Sequence, residues 1–195
     1  MMKSISYQHD ESYSKTLFGF WVYLLSDLVL FGALFATYAV LRTGTYGGPS
    51  AALLLDPFWA LVQTLILLTA SFTSSLGKIF VHRHKKNAAL TFYGLTLLLG
   101  SAFMMMGFSE FSTLISEGNS WKRSAFLSAF FTLSGTHMLH IIFALLWIVL
   151  LLIPLWKDGP TATSVRRLSC LTLFWQFINI VWIFIFSIVY LGAFS

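Results

Sequence analysis

The stretch LFGFWVYLLSDLVLFGALFATYAVL, residues 17–41, carries one charged side chain, Asp27, in an otherwise apolar run. At 1.5 Å per residue, roughly 25 residues reach about 37 Å, enough to cross a hydrocarbon core of about 30 Å. The run therefore reads as a membrane span with a carboxylate inside it. A carboxylate facing lipid is costly, so Asp27 is expected to face other helices, water or a partner protein.

The composition agrees with that reading. The 195-residue chain is 57% hydrophobic and 10% charged, with mean hydropathy +0.80. Such a chain lacks the polar residues to cover a soluble surface, which implies an all-α polytopic membrane protein. The single cysteine, Cys170, excludes an internal disulfide and a Cys-rich metal or iron–sulfur site. The polar opening MMKSISYQHDESYSK lacks the apolar core and small-residue cleavage site of a signal peptide. Retention of the N-terminus is expected, with the first span acting as its own insertion signal.

Apolar runs at about 17–41, 57–77, 88–109, 125–153 and 171–194 imply a single membrane domain of five transmembrane helices. Five spans place the termini on opposite sides. The N-terminal side receives Lys3, Lys15, Lys78, Arg83, Lys85, Lys86, Lys157, Arg166 and Arg167, nine of the twelve Lys and Arg. The other side keeps Arg42, Lys122 and Arg123. This asymmetry predicts a cytoplasmic N-terminus and an outer C-terminus, and it explains the net charge of +5 without nucleic acid. Gly44, Gly47, Gly48 and Pro49 mark turns in the first outer loop. Trp59, Trp121 and Trp156 sit near span ends, where indole rings favour the headgroup layer. No internal repeat suggests an inverted-repeat transporter.

The remaining spans add polar groups at particular depths. The second holds Thr64, Thr69, Ser71, Thr73, Ser74 and Ser75, which are expected to let helices approach closely. The third carries Met104, Met105 and Met106 on different faces, expected to be lipid-facing or core filler rather than copper ligands. In the fourth, FLSAFFTLSGTHMLHIIFALLW, His137 and His140 share a broad face, and Ser128, Thr132, Thr136 and His140 form a polar row. Three readings stay open for the histidines: metal or haem ligation, hydrogen bonding between helices, and a proton relay with Asp27. Ligation lacks further ligands at similar depth, since Cys170 falls at a cytoplasmic edge. The fifth span adds Gln176 and Asn179, three apart. Counted from the cytoplasmic ends, Asn179 lies about 12 Å in, Asp27 about 15 Å and His140 about 20 Å, depths compatible with a meeting of the three.

Four segments in order, FGFWVYLLSDLVLFGALFATYAVL, VQTLILLTASFTSS, FLSAFFTLSGTHMLHIIFALLW and FWQFINIVWIFIFSIVYL, resemble subunit III of the haem-copper terminal oxidases. The GTHxLH helix followed by a W-x-F-x-x-x-VW helix is a specific combination. The five-span form with Asp after Ser in the first helix is most similar to the cytochrome bo ubiquinol oxidase type; the mitochondrial type has two more N-terminal helices. The resemblance implies a subunit without haem or copper of its own. It would pack against the haem- and copper-bearing subunit I, beside subunits II and IV and membrane lipids, in a bacterial inner membrane. It further implies that Asp27 is the family's intramembrane carboxylate facing subunit I, that His137 and His140 are its paired histidines, and that the family's lipid cleft is incomplete in a five-span form. The chain departs from the family where WHFxDVVW reads WQFINIVW, with Gln176 and Asn179 as amides, and where Gly107 stands for a common Glu. Glu110 keeps the next acidic position.

These readings rank the function classes. A non-catalytic subunit of a proton-pumping quinol oxidase leads. The alternative is an independent proton or ion conductor using Asp27 and His140. A di-haem anchor needs a histidine on a second helix, and an intramembrane hydrolase needs a nucleophile motif that the chain lacks.

Overall fold

A computed structural model describes residues 2–194, with side chains from residue 15 onward. No strand occurs among the described residues. The long helices are α1 (Met2–Leu41), α3 (Pro57–His82), α4 (Lys86–Ser116), α5 (Ala125–Asp158) and α6 (Ala162–Ile185), and a four-residue α2 (Ala51–Leu54) lies in the loop between α1 and α3. A π turn (Phe186–Tyr190) and a 3₁₀ turn (Leu191–Ala193) extend α6. Among the described residues, five helices are long and apolar enough to span a membrane.

The helix starts follow local chemistry. Asp56 accepts from the Phe58 amide at 2.9 Å with Pro57 in the first turn, so α3 begins on a side-chain cap followed by a residue with no N–H to leave unpaired. Ser124 and Thr161 cap α5 and α6 by accepting from Leu127 N and Ser164 N. At the other end of α5, Gly159 adopts φ 74°, a left-handed conformation that ends the helix.

Several helices overrun their apolar runs. Instead of stopping near 153, α5 passes through Pro154 to Asp158; in a membrane helix the one hydrogen bond lost to proline is offset by local adjustment and neighbouring packing. Similarly, α6 begins at Ala162 rather than near 171, so Cys170 lies within the helix and is buried. Glu110 falls inside α4, which runs to Ser116. The Lys3 part of the N-terminal charge count lies outside the described side chains.

The central helix is α6, which packs against α1, α3 and α5, and half of its apolar stretch is buried. By contrast, α1 lies at the periphery: only 17% of its apolar stretch is buried, along Leu24, Phe31 and Tyr38 against α5 and α6. Phe103, Phe126, Phe130, Trp175, Trp182 and Tyr190 fill the space between α4, α5 and α6. Trp59, Trp121 and Trp156 are all exposed. Met104 is buried and Met105 exposed, in keeping with their different helix faces.

Candidate functional site

The second-span hydroxyls join helices. Thr64 accepts the Trp182 indole N–H at 2.9 Å, Thr73 pairs with Thr96 at 2.8 Å, and Ser74 donates to Thr172 at 3.3 Å. Gln176 extends the seam between α3 and α6: its carbonyl accepts from Ser71 at 2.9 Å and its amide donates to Ser75 at 2.6 Å. Four of these side chains, Thr64, Ser71, Thr73 and Ser74, are buried where unsatisfied hydroxyls would be costly.

The polar row of α5 behaves differently. Ser128 and Thr132 are exposed and bond back to backbone carbonyls of Trp121 and Ser128. Thr132 satisfies itself on its own helix and Ser128 on the loop that precedes it, as short hydroxyl side chains do when no partner helix offers an acceptor.

The two histidines serve separate contacts. His137 is fully buried, and its Nε2 lies 3.2 Å from the Ile178 carbonyl on α6. A carbonyl only accepts, so Nε2 carries the proton there. Phe103 and Trp182 pack around the ring, with centroids 5.9 and 5.3 Å away. His140 places Nδ1 2.8 Å from the Thr136 carbonyl, which makes Nδ1 a donor and turns Nε2 toward α1. There Nε2 stands 3.8 Å from Asp27 Oδ2, with both side chains 13% exposed and Phe31 against the imidazole. That separation is ion-pair range, longer than a direct hydrogen bond. With Nδ1 already donating, Nε2 and the carboxylate oxygen face each other without a direct hydrogen bond between them.

The other sequence-derived candidates stand elsewhere. Glu110 accepts the Tyr190 hydroxyl at 2.9 and 3.0 Å and faces the Gln63 amide at 3.5 Å, near the C-terminal ends of α4 and α6. Gln176 belongs to the α3 seam. Asn179 is buried with its side-chain oxygen unbonded, and no hydrogen bond links it to Asp27 or His140. The structure thus brings together Asp27 and His140 and leaves Asn179 out of that pair. The depth count missed this because depth says nothing about which face of α6 turns toward α1. Sequence reasoning also passed over Tyr190, Trp182 and Gln63, which sit in aromatic or apolar contexts whose partners lie on other helices. Among the described residues, no group of three or more His, Cys, Asp or Glu side chains is placed to hold a metal ion.

A five-span bundle whose buried polar groups mostly bond one another across helix seams is an integral membrane protein built for packing. Comparison with known proteins gives the family. The cytochrome c oxidase subunit III family matches residues 2–194. The chain is 46% identical over 190 residues to cytochrome bo(3) ubiquinol oxidase subunit 3 of Pseudomonas aeruginosa, covering 96% of this chain and 91% of that one. It is 43% identical to the protein of the same name from Pseudomonas putida, covering 94% and 88%. With cytochrome c oxidase subunit 3 of Bacillus sp. PS3 it shares 41% identity, covering 89% and 84%. The chain belongs to the cytochrome c oxidase subunit III family, the subunit III of haem-copper oxidases.

Proposed function

We propose that this chain is the non-catalytic subunit III of a proton-pumping quinol oxidase in a bacterial cytoplasmic membrane. It packs against and stabilises the haem-copper subunit I, beside subunits II and IV, while quinol is oxidised and oxygen reduced to water. The observation that carries the reading is 46% identity across nearly the whole chain to a protein named as a subunit of a ubiquinol oxidase. A relative named for cytochrome c oxidase stands at 41%, so ubiquinol as donor rests on the closer of these two likenesses. The family's carboxylate position gives Asp27 an interface role. Its neighbourhood supports this, since peripheral α1 exposes Trp21, Leu25, Leu28 and Val29 beside it. An apolar groove of about 350 Å³ between α1 and α6 adds a shaped surface for a partner. The basic loops support a cytoplasmic N-terminus and an outer C-terminus.

The test is capture of the tagged chain from gently solubilised native membranes, followed by a visible spectrum and quinol oxidase assay. Haem absorbance with quinol-dependent oxygen consumption is expected. A colourless chain, stable alone, overturns the proposal. The Asp27–His140 pair favours one second reading, an independent proton conductor, which requires proton flux through liposomes holding this chain alone.

A further inference from the structure

The loop between α1 and α3 turns at Thr45–Gly48, where the Gly48 amide donates to the Thr45 carbonyl at 2.8 Å. Both central residues are left-handed, Tyr46 at φ 49° and Gly47 at φ 78°. Two positive φ angles in succession define a type I′ turn, whose first central position suits Asn, Asp or Gly. A bulky aromatic there holds its Cβ against the following carbonyl and costs stability.

The chain fixes this conformation without using the ring. Gly44 accepts the Phe126 amide from the first turn of α5 at 3.2 Å and donates its own N–H to Leu41 at 2.9 Å, and Thr45 donates to the Thr43 carbonyl at 3.0 Å. On the other flank Arg123 packs beside Gly48, its Nε 3.7 Å from where a Cβ on that glycine would stand, while its guanidinium donates to Asn119 Oδ1 at 2.6 Å. Tyr46 itself is 85% exposed, with no ring contact and no side-chain hydrogen bond among the described residues. Nothing inside the chain therefore offsets the strain. Asparagine would make the same turn at lower cost, so what tyrosine adds is a phenol ring held out on a fixed stem.

We propose that Tyr46 is an anchor that seats in a pocket on a neighbouring protein subunit, with apolar walls for the ring, an acceptor for the phenol O–H and carboxylates at the rim. The charges beside the turn select the rim: Arg42 precedes it, Arg123 lies against its last residue, both are exposed, and neither has a carboxylate partner among the described residues. Tyrosine with arginine is the pairing that dominates interface hot spots. A protein is the occupant rather than the headgroup layer, because that layer is fluid and takes an aromatic ring from any backbone. A pocket of fixed shape gains from a ring already held in place, which loses little freedom on binding. The inference rests on the reading of this chain as one subunit of a larger oxidase.

The test has two arms. In the first, the photoreactive p-benzoylphenylalanine replaces Tyr46 in native membranes, and mass spectrometry identifies what irradiation joins to it. A cross-link to one peptide of a copurifying oxidase subunit, with Asp or Glu nearby, is expected. In the second, tagged variants are captured from gently solubilised membranes and the release of the haem-bearing partner is timed. Tyr46→Asn relaxes the turn, so unfolding cannot explain a loss, and it should release the partner roughly ten- to thirty-fold faster than wild type. Tyr46→Phe, which keeps the ring, should stay within about threefold. Cross-links confined to phospholipid overturn the proposal and give the ring to the headgroup layer. No cross-link at all, or equal release from Tyr46→Asn and wild type, also overturns it while leaving the subunit reading intact. A wild-type chain that captures no haem-bearing protein overturns that reading and this inference with it.

Discussion

His140 holds its Nε2 3.8 Å from Asp27 Oδ2 because its other ring nitrogen is anchored to the Thr136 carbonyl one turn back. The backbone of α5 thereby aims an imidazole at the carboxylate of α1, the helix with the least other burial.

Asp27→Asn keeps shape and supplies an amide N–H that can face the Nε2 lone pair. Its yield from membranes should therefore stay close to wild type. Asp27→Leu leaves Nε2 without a polar neighbour and should cost about 1–3 kcal/mol. Thermal unfolding of the purified chain or its complex separates the two, with the leucine variant melting lower. If Asp27 also serves the interface, oxygen consumption and proton pumping should change in the asparagine variant; unchanged values in both would remove that role.

The Trp182 indole N–H and Thr64 hydroxyl form one of the buried bonds between α3 and α6. Thr64→Val and Trp182→Phe should each destabilise, and the double variant should cost less than their sum by about 0.6 kcal/mol, with an upper bound near 1.7. A double-mutant cycle read by thermal unfolding measures this coupling directly. Strict additivity would mean that the bond contributes nothing beyond packing.

Two glycines of α4 predict opposite outcomes from the same substitution. A Cβ on Gly100 would lie 2.7 Å from both Leu145 Cδ2 and Trp175 Cη2, and the buried indole has little room to retreat. Gly100→Ala should cost about 1–3 kcal/mol. No heavy atom lies within 4 Å of the corresponding point on Gly94, so Gly94→Ala should be neutral or slightly stabilising through helix propensity. Differential scanning of the two variants is the check.

The five spans were legible because bilayer-length apolar runs carry their own evidence, and the second-span hydroxyls read correctly as groups that let helices approach. What escaped was rotation. Neither the length nor the depth of α6 says that Asn179 makes no hydrogen bond to Asp27 or His140, or that Gln176 bonds Ser71 and Ser75. Those facts follow from side-chain packing between distant segments. The same cause explains Gly107, where the family pattern has an acidic residue. Met138 of α5 fills that space, with its Cε where a Cβ on residue 107 would stand. A pattern match shows that the acid is missing, and only the fold shows what occupies its place. The helix ends were also poorly legible, since α5 continues past Pro154 at a point where composition suggests a stop.

Glu110 and Tyr190 give the last prediction. The Tyr190 hydroxyl reaches both carboxylate oxygens of Glu110 at 2.9 and 3.0 Å, from the π turn that ends α6. Gln63 approaches from α3 at a longer 3.5 Å, so the tyrosine is the stronger of the two donors. Removing it with Tyr190→Phe preserves the ring packing on Phe130 and Trp182 but leaves the carboxyl with the weaker partner alone. The variant should lose about 1–3 kcal/mol, and amide exchange should quicken at the C-terminal ends of α4 and α6 before the rest of the bundle. Glu110→Gln retains an oxygen to accept the tyrosine O–H and should cost less. A loss in Glu110→Gln as large as in Tyr190→Phe would mean that the amide cannot stand in for the carboxyl as acceptor of the tyrosine O–H. Hydrogen exchange resolved by mass spectrometry distinguishes these outcomes.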